Sequence, residues 1–574
     1  MIFDSLNIAA SSLKAQQKAI DVVSHNISNV NTPGYSRQVA HVVSEVPEKI
    51  AGLSLGRGVN VASVQRIIDP IIGQAQLNNA SQLSFWTTVN GGLSSVENVF
   101  GSLQSTGLAS ALDEFFLSWK QLANNPQDNG QRVNVRAKSG TLIDNLANMQ
   151  QQLRDVQGNT DSNIDQSITK ANQLLNNVAS LTVQINNQET GSTIGSANDL
   201  RDQRDQTVRD LAKLLPVKSI TTGDGSFMLQ TVNGDLLAQD GVARQLARGT
   251  TSGNAFSTVV IAGTGLPVVN AGQGGSLGGM LELRDTKLAG YITQLDSISA
   301  NLIFSVNQVH GSSANTAKLS TVTSEQSSSA ALALDNAAQT APFANKIQTG
   351  SFKIHVYDAA GLATPAGGTA INITAGATSM NNVVTSLNAV AGITASVDAS
   401  GRLSINAAAG QSFALSGDNS NFLAAYEINN FFSGGDTASM RLSSAIQASA
   451  TAISTGVADP ATSNVFAGDS SSALAILALQ NTALSVDGTA SSSLFDRTTS
   501  LSTQYGSDVA VSLQQKSYRS VEATSLESQR QAVSGVNVDE ELINMIKFQR
   551  AYQASAKIIT TTNTMLDSLM GLIR

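Results

Sequence analysis

Cysteine is missing from all 574 residues, which excludes a disulfide framework and any thiolate metal site. Its absence suits a chain threaded unfolded through a narrow channel, and suits an ordinary cytosolic protein equally. Charge is scarce as well: Asp, Glu, Lys and Arg make up 13% of the chain against roughly 25% in an average protein. Ser, Thr, Asn, Gln and Gly carry the polarity instead. The net charge is −8 and no basic cluster of the kind that neutralises phosphates occurs, so nucleic acid is not an expected partner. No stretch approaches about 18 consecutive apolar residues, so no membrane insertion is expected. Met1 to Leu13 lacks the basic region, apolar core and small-residue site of a cleaved Sec-type signal. The four histidines, His25, His41, His310 and His355, never fall at HxxxH spacing, and each reads as a lone surface or capping side chain rather than a metal ligand.

What the chain does have is a seven-residue apolar repeat at each end. Leu6, Leu13, Ile20 and Ile27 share one heptad position, with Ala9, Gln16, Val23 and Val30 three residues after each. Near the other end Met545, Tyr552, Ile559, Leu566 and Ile573 recur every seven, with Leu542, Gln549, Ala556, Asn563 and Met570 three before. Both are seam patterns of coiled coils. Ala9, Ala556, Gln16, Gln549 and Asn563 are small or polar where a self-sufficient two-helix zipper carries Leu or Ile. Such a pair buries little, so the ends are expected to be disordered in the free chain and to become ordered among copies of it.

Between the ends the periodicity changes repeatedly. Asp4 is placed to cap a first helix running to about Asn31, where Pro33 disfavours helical geometry at Thr32. Pro33-Gly34 supplies the centre of a type II turn. Val39–Val46 and Val59–Val64 read as strands, and a helical pattern runs from Pro70 to about Gln104. Helical spacing returns from Leu142 to Leu181 and again from Asn198 to Leu215, ended by Pro216. Asp224-Gly225 and Asn233-Gly234 signal hairpins in a small β element. After the glycine-rich Gly272–Gly279, leucines about seven apart from Leu281 to Leu302 lead to Val309. Thr316–Thr340 shows little period and reads as a linker or irregular segment. Phe352, Ile354 and Val356 alternate, Met380–Val390 fits a short helix, and Ile393, Ala395 and Val397 alternate again before a turn at Asp398–Arg402. Ala473–Leu484 and Leu501–Val533 are helical in period, and Asn537 with Glu540 makes a capping box for the last helix. The fold class is therefore α+β and multidomain: long coiled-coil termini and a helical middle domain, with inserted β-rich outer modules. The expected divisions are 1–35 with 537–574 as terminal domain, and 36–215 with 273–315 and 441–536 as helical middle. A β element at 216–272, a linker at 316–345 and an inserted β-rich domain at 346–440 complete them.

Several motifs resemble catalytic ones without their context. Gly52-Leu53-Ser54-Leu55-Gly56 matches the GxSxG nucleophile pattern, but a strand rather than a helix follows, so a turn between strands is the better reading. Gly272–Gly279 lacks the Gly-Lys-Ser/Thr of a phosphate loop and reads as a flexible lead-in to a helix. Asp199, Asp202, Asp205 and Asp210 interleave with Arg201, Arg204 and Arg209; the (i, i+4) spacing of Arg201, Asp205 and Arg209 suits a salt-bridged helix face better than paired catalytic carboxylates. Tyr552 and Phe548 read as seam packing. No catalytic, cofactor or metal site is expected.

Specific blocks carry a resemblance. HNISNVNTPGYSR from His25 to Arg37, with LGRGVNVASVQRIIDP from Leu55 to Pro70, is similar to the turn motif of flagellar axial proteins and the segment after it. ANDLRDQRDQ (Ala197–Gln206), GGSLGGMLELRD (Gly274–Asp285) and the C-terminal Gly535–Leu569 resemble blocks of the flagellar hook-associated proteins that join hook to filament. Ile373–Leu423 resembles a module found in hook-associated proteins and flagellins. The resemblance implies a structural subunit of the bacterial flagellum, needed for filament growth and motility. It implies a ring of copies, contact with hook protein and with a second junction protein, and an export chaperone on the C-terminal helix. It further implies an extracellular place in the flagellum, reached through the type III export apparatus, with terminal helices forming an inner tube. The expected assembly interface is Leu6, Leu13, Ile20, Val23, Ile27, Val30, Leu542, Met545, Tyr552, Ile559, Leu566 and Ile573, with the turn Asn31, Thr32, Pro33, Gly34 and Tyr35.

A secreted cell-surface adhesin or passive surface protein would also suit the Ser/Thr/Asn/Gly-rich β regions, but would have no use for heptads at both ends. An inserted enzyme would need carboxylates or histidine in the insertion. Lys353–Leu423 offers only His355, Asp358, Asp398 and Asp418, at no matching spacing.

Overall fold

The computed structural model describes residues 2–572 apart from 51–52, 102–106, 191–195, 224, 250–255, 487 and 489–490. The chain divides into two compact units. One comprises residues 1–92, 158–286 and 509–574, the other 93–157 and 287–508.

In the first unit the N-terminal helix Ile2–Ser28 lies along the C-terminal helix Val538–Leu572. Asp4 sits inside the first turn rather than before it. Strands Gln38–Ser44 and Val59–Arg66 form an antiparallel ribbon with a bulge between His41 and Val42. Of the GxSxG segment, Gly52 lies outside the described residues, and Leu53–Leu55 is a strand paired with Glu48–Ile50. Asp69 starts the helix Pro70–Ser95 by accepting from the backbone N–H of Ile71 at 2.8 Å. The helix Asn198–Ala212 is followed by a four-stranded meander (Val217–Thr221, Phe227–Thr231, Leu236–Gln239, Val242–Ala243) and a three-stranded sheet (Leu246–Gly249, Thr258–Ile261, Pro267–Val269). Gly225 and Gly234 take positive φ in the expected hairpin turns, Asp224 lying outside the described residues. Leu175, Val178, Leu211, Leu229, Val259 and Leu277 form one apolar core with both sheets.

The glycines around Gly275 have a structural use that the sequence reading missed. A Cβ on Gly275 would stand 2.4 Å from the Leu214 carbonyl oxygen, and one on Gly279 2.8 Å from that of Phe85. They permit close backbone packing at the head of the helix Gly275–Leu281, rather than a flexible lead-in. The helix continues as a π-helical stretch Glu282–Leu288.

In the second unit the helix Leu108–Asn124 buries Phe115, Phe116 and Trp119, with Phe115 and Trp119 packed against Phe431 and Phe115 against Phe432 as well. Gly350–Tyr357 is the central strand between Thr369–Ile373 and Ser412–Ser416, and Leu403–Ala407 lies between Thr321–Thr323 and Ile393–Val397. Ser379 and Asn382 make a reciprocal capping box for the helix Met380–Asn388. The segment expected as a linker at 316–345 supplies the strand Thr321–Thr323 and buries Leu334, whose carbonyl accepts from the Tyr426 hydroxyl at 2.9 Å. Two histidines expected at the surface are buried. His310 bonds the Asn429 carbonyl through Nδ1 at 2.7 Å and accepts from the Ser454 N–H at Nε2, and His355 lies between Ser463 and Ser416. Both needed a second partner distant in sequence, which no spacing reveals. No helix of the described residues is long and apolar enough to cross a membrane.

Candidate assembly interface

The first unit gathers the turn, both terminal helices and the helix Asn198–Ala212 into one polar joint. Tyr35 N–H donates to the Thr32 carbonyl at 3.2 Å and Gly34 has φ 82°, the type II geometry that Pro33-Gly34 encodes. The positive φ at Gly34 requires glycine, and a Cβ there would also stand 2.8 Å from Arg209 Nη2 and push that guanidinium aside.

At the centre sits Asn26, 1% exposed. Its Nδ2 donates to the Gln38 carbonyl at 2.9 Å and to Glu541 Oε2 at 3.0 Å. Its Oδ1 accepts from the Tyr35 hydroxyl at 2.8 Å and from Gln38 N–H at 3.0 Å. All four hydrogen-bonding positions of the amide are filled. Burial, then the charges of Asp199, Asp202 and Glu541, push the Tyr35 phenol well above its usual range, so it stays a donor. Arg37 fixes the same carboxylate from the other side, Nε to Glu541 Oε1 at 2.8 Å, and reaches Glu540 at 3.3 Å.

The helix Asn198–Ala212 holds the far side of the turn. Asp202 accepts from Ser36 N–H and Ser36 Oγ, each at 2.9 Å, and from Arg66 Nη1 at 2.6 Å. Burial pushes the Asp202 carboxyl up against the pull of Arg66 and Ser36. The same burial opposes the Arg66 charge, and Asp205 with Asp202 outweighs it and holds that guanidinium above its usual value. Gln38 Nε2 donates to Asp199 at 2.8 Å. The expected salt-bridged face along this helix is therefore corrected. Arg201 pairs with Glu189 at 2.7 Å, Asp205 with Arg66 at 2.8 Å, and Arg209 donates to Gln206. Arg201 and Asp205 reach other segments because the helix is packed on by the turn and ribbon, where charge left unpaired would be costly, whereas Arg209 stays with Gln206 on its own helix.

The terminal helices run antiparallel, since Ser12 Oγ meets Ser555 Oγ at 2.8 Å while Asn26 meets Glu541. The most buried positions along the seam are Ala9, Ala19, Val23 and Asn26 on the first helix and Glu541, Ser555 and Thr562 on the last, with Ser12, Met545, Phe548, Ile559 and Leu566 partly covered. Ser12 and Ser555 are not both fully enclosed, and the seam is narrow. Leu6, Leu13, Ile20 and Ile27 are half-buried and flank it, and Val23 lies in it. Val30 and Tyr552 are exposed, and Leu542 is 45% exposed. Ile573 lies outside the described residues. In the turn Asn31, Thr32 and Pro33 are exposed, Gly34 is half-buried and Tyr35 is buried. On the last helix the expected line through Met545, Ile559 and Leu566 is thus partly covered, while its companion line passes through Glu541, Phe548, Ser555 and Thr562 rather than Leu542, Gln549, Ala556 and Asn563, one position away.

The heptad count missed Asn26, Ser36, Arg37, Gln38, Asp202 and Glu541. Asn26, Ser36, Arg37, Asp202 and Glu541 lie inside the blocks that carried the resemblance, and pairing over such sequence separations leaves no periodic trace.

Comparison with known proteins agrees along the chain. Residues 93–318 match the model of the flagellar hook-associated protein FlgK helical domain, 527–572 that of the flagellar basal body rod FlgEFG protein C-terminal, and 6–35 that of the flagella basal body rod protein. Flagellar hook-associated protein 1 of Salmonella typhimurium strain LT2 is 28% identical, covering 99% of each chain, as is that of Escherichia coli K12. The Bacillus subtilis protein of that name is 31% identical over 40% of this chain and 47% of its own length. The solved flagellar hook junction protein FlgK from Burkholderia pseudomallei shares the fold. Its TM-score is 0.50 at 17% identity, over 80% of this chain and 100% of its own.

Proposed function

We propose that this chain, a member of the flagellar hook-associated protein 1 family, takes its place in the hook–filament junction through the two terminal helices and the joint at their base. It is a structural component of that junction. The observation that carries the mechanism is the seam: it is narrow and polar, while Leu542, Ile543, Ile546, Ile558, Met565 and Leu569 of the last helix are left exposed. A helix with apolar side chains on its outer faces is built for further partners.

In this reading the inner face of each terminal helix is covered by its own partner and the outer faces by sister copies. Copies of the chain form a ring, with hook protein below and a second junction protein above. The turn Asn31–Tyr35, locked by Asn26 and Asp202, sets the angle at which the terminal pair leaves the ribbon. In the free chain the terminal pair has too little apolar burial to stay ordered, which suits export through the type III apparatus to the extracellular flagellum. A chaperone covering the exposed apolar face of the last helix in the cytoplasm fits the same surface. The whole-length likeness to flagellar proteins gives the adhesin reading no support, and those relatives are structural proteins rather than enzymes.

The test is removal of residues 542–574 in the parent bacterium. Cells should then release filament protein into the medium while their hooks stay bare in the electron microscope. Filaments on normal hooks would refute the reading.

A further inference from the structure

Next to the turn, the first unit contains a cleft of about 530 Å³, within the size range of ligand and side-chain pockets. Its floor is apolar, formed by Ile72, Leu77, Val208 and Phe227. Most charges on its walls are matched within the chain. Arg66 is held by Asp202 and Asp205, Arg201 by Glu189, and Arg530 by Glu527 at 2.8 Å. Asp69 is occupied by the helix start at Ile71.

Two cations are left. Arg209 donates both Nε and Nη2 to the neutral Gln206 Oε1, at 3.0 and 2.8 Å, and makes no ion pair among the described residues, although Asp205 stands near enough to act on its charge. Lys218 lines the cleft, is exposed and makes no ion pair among the described residues. An apolar floor with two unmatched cations above it fits an anionic group carried beside aliphatic side chains.

The same chain displays such a group. On the last helix Asp539, Ile543 and Ile546 follow at i, i+4 and i+7 and share one face, opposite the Glu541, Met545 and Phe548 face that meets the N-terminal helix. Ile543 is 66% and Ile546 53% exposed. Asp539 makes no ion pair among the described residues, whereas its neighbours Glu540 and Glu541 are held by Arg37.

We infer that the cleft receives the first two to three turns of the C-terminal helix of a second copy, with Asp539 between Arg209 and Lys218 and Ile543 and Ile546 on the apolar floor. The contact joins two different surfaces, cleft to helix. It therefore repeats from copy to copy and builds a ring or helical array instead of closing as a pair. This rests on the junction reading above and names one of its interfaces.

Because the chain has no cysteine, cross-linking can be made unambiguous. Lys218→Cys and Asp539→Cys chains, carrying tags of different size, are mixed, assembled on isolated hooks and oxidised. The mixed dimer should exceed both like-with-like dimers. Separately, Lys218→Glu should weaken assembly about ten-fold, the scale expected for a like-charge contact, and Asp539→Lys in the same chain should restore most of it. Lys218 lies outside the joint, so its replacement leaves the turn intact. If the unsubstituted chain adds to hooks and Lys218→Glu adds equally well, or no mixed dimer forms, the cleft contact is wrong and the junction reading stands. If the unsubstituted chain does not add to hooks at all, the junction reading falls and the cleft contact with it.

Discussion

Asn26 and Glu541 stand 515 positions apart in the chain and meet at 3.0 Å in the interior of the joint. With Gln38 and Tyr35 as its other partners, Asn26 ties together the N-terminal helix, the turn, the ribbon and the C-terminal helix. The two ends of the chain are thus registered by polar contacts.

Replacing Asn26 by Ala leaves the Glu541 carboxylate and the Tyr35 hydroxyl each short of a buried partner. The cost is about 3 kcal/mol, equal to roughly a hundred-fold rise in the concentration needed for assembly. It falls on the assembled state, where the terminal pair is ordered, so sedimentation should show the rise while the melting of the free chain stays nearly unchanged.

Gly34→Ala places a methyl group at φ 82° and 2.8 Å from Arg209 Nη2. A strain of about 1 to 3 kcal/mol follows. Amides from Tyr35 to Gln38 should exchange at least several-fold faster in the assembled state, while those of the Phe227–Thr231 strand keep their rates.

Leu542, exposed in the single chain, tests the proposed contacts between copies. Leu542→Ser removes apolar surface that the single chain leaves exposed. Free-chain melting should move by less than about 0.5 kcal/mol, while assembly weakens by about 1 to 2 kcal/mol. A drop in free-chain stability as large as the loss of assembly would place Leu542 in the intramolecular seam instead.

Burial pushes His310 down to about 4, against the opposing hydrogen bond to the Asn429 carbonyl. The unfolded chain therefore binds a proton near pH 6.5 that the folded unit refuses. Stability from this group is complete above pH 6.5, is lost as the pH falls from 6.5 towards 4, and falls no further below that. The loss is about 3 kcal/mol, and His355, also lowered by burial, adds to it in the same direction. Denaturant melts of the second unit between pH 7 and 5 should show this slope, and His310→Gln should flatten it.

Periodicity and turn chemistry exposed much of this architecture in advance. The heptads marked both terminal helices, Pro33-Gly34 marked the turn, and alternation at Phe352, Ile354 and Val356 marked a central strand. Those signals are local, because each arises from side chains within a few positions of one another. The joint was not legible, since Asn26 with Glu541 and Ser36 with Asp202 pair across hundreds of residues and no short-range pattern records them. One of the two expected seam lines on the last helix, that through Leu542 and Ala556, lies one position from the buried line for a related reason. Counting apolar residues finds the face that is most apolar, and here Ser12, Ala19 and Ser555 face inward while Leu542 and Ile543 stay exposed. Gly275 and Gly279 misled in the same way, their purpose being fixed by the Leu214 and Phe85 backbones that approach them.

The central claim is that the terminal helices are held by neighbouring copies more than by each other. Amide hydrogen exchange across residues 2–28 and 538–572, on the free chain and on chains assembled onto hooks, tests it most directly. Exchange within seconds in the free chain and strong protection after assembly is the predicted result; strong protection of both helices in the free chain would contradict it.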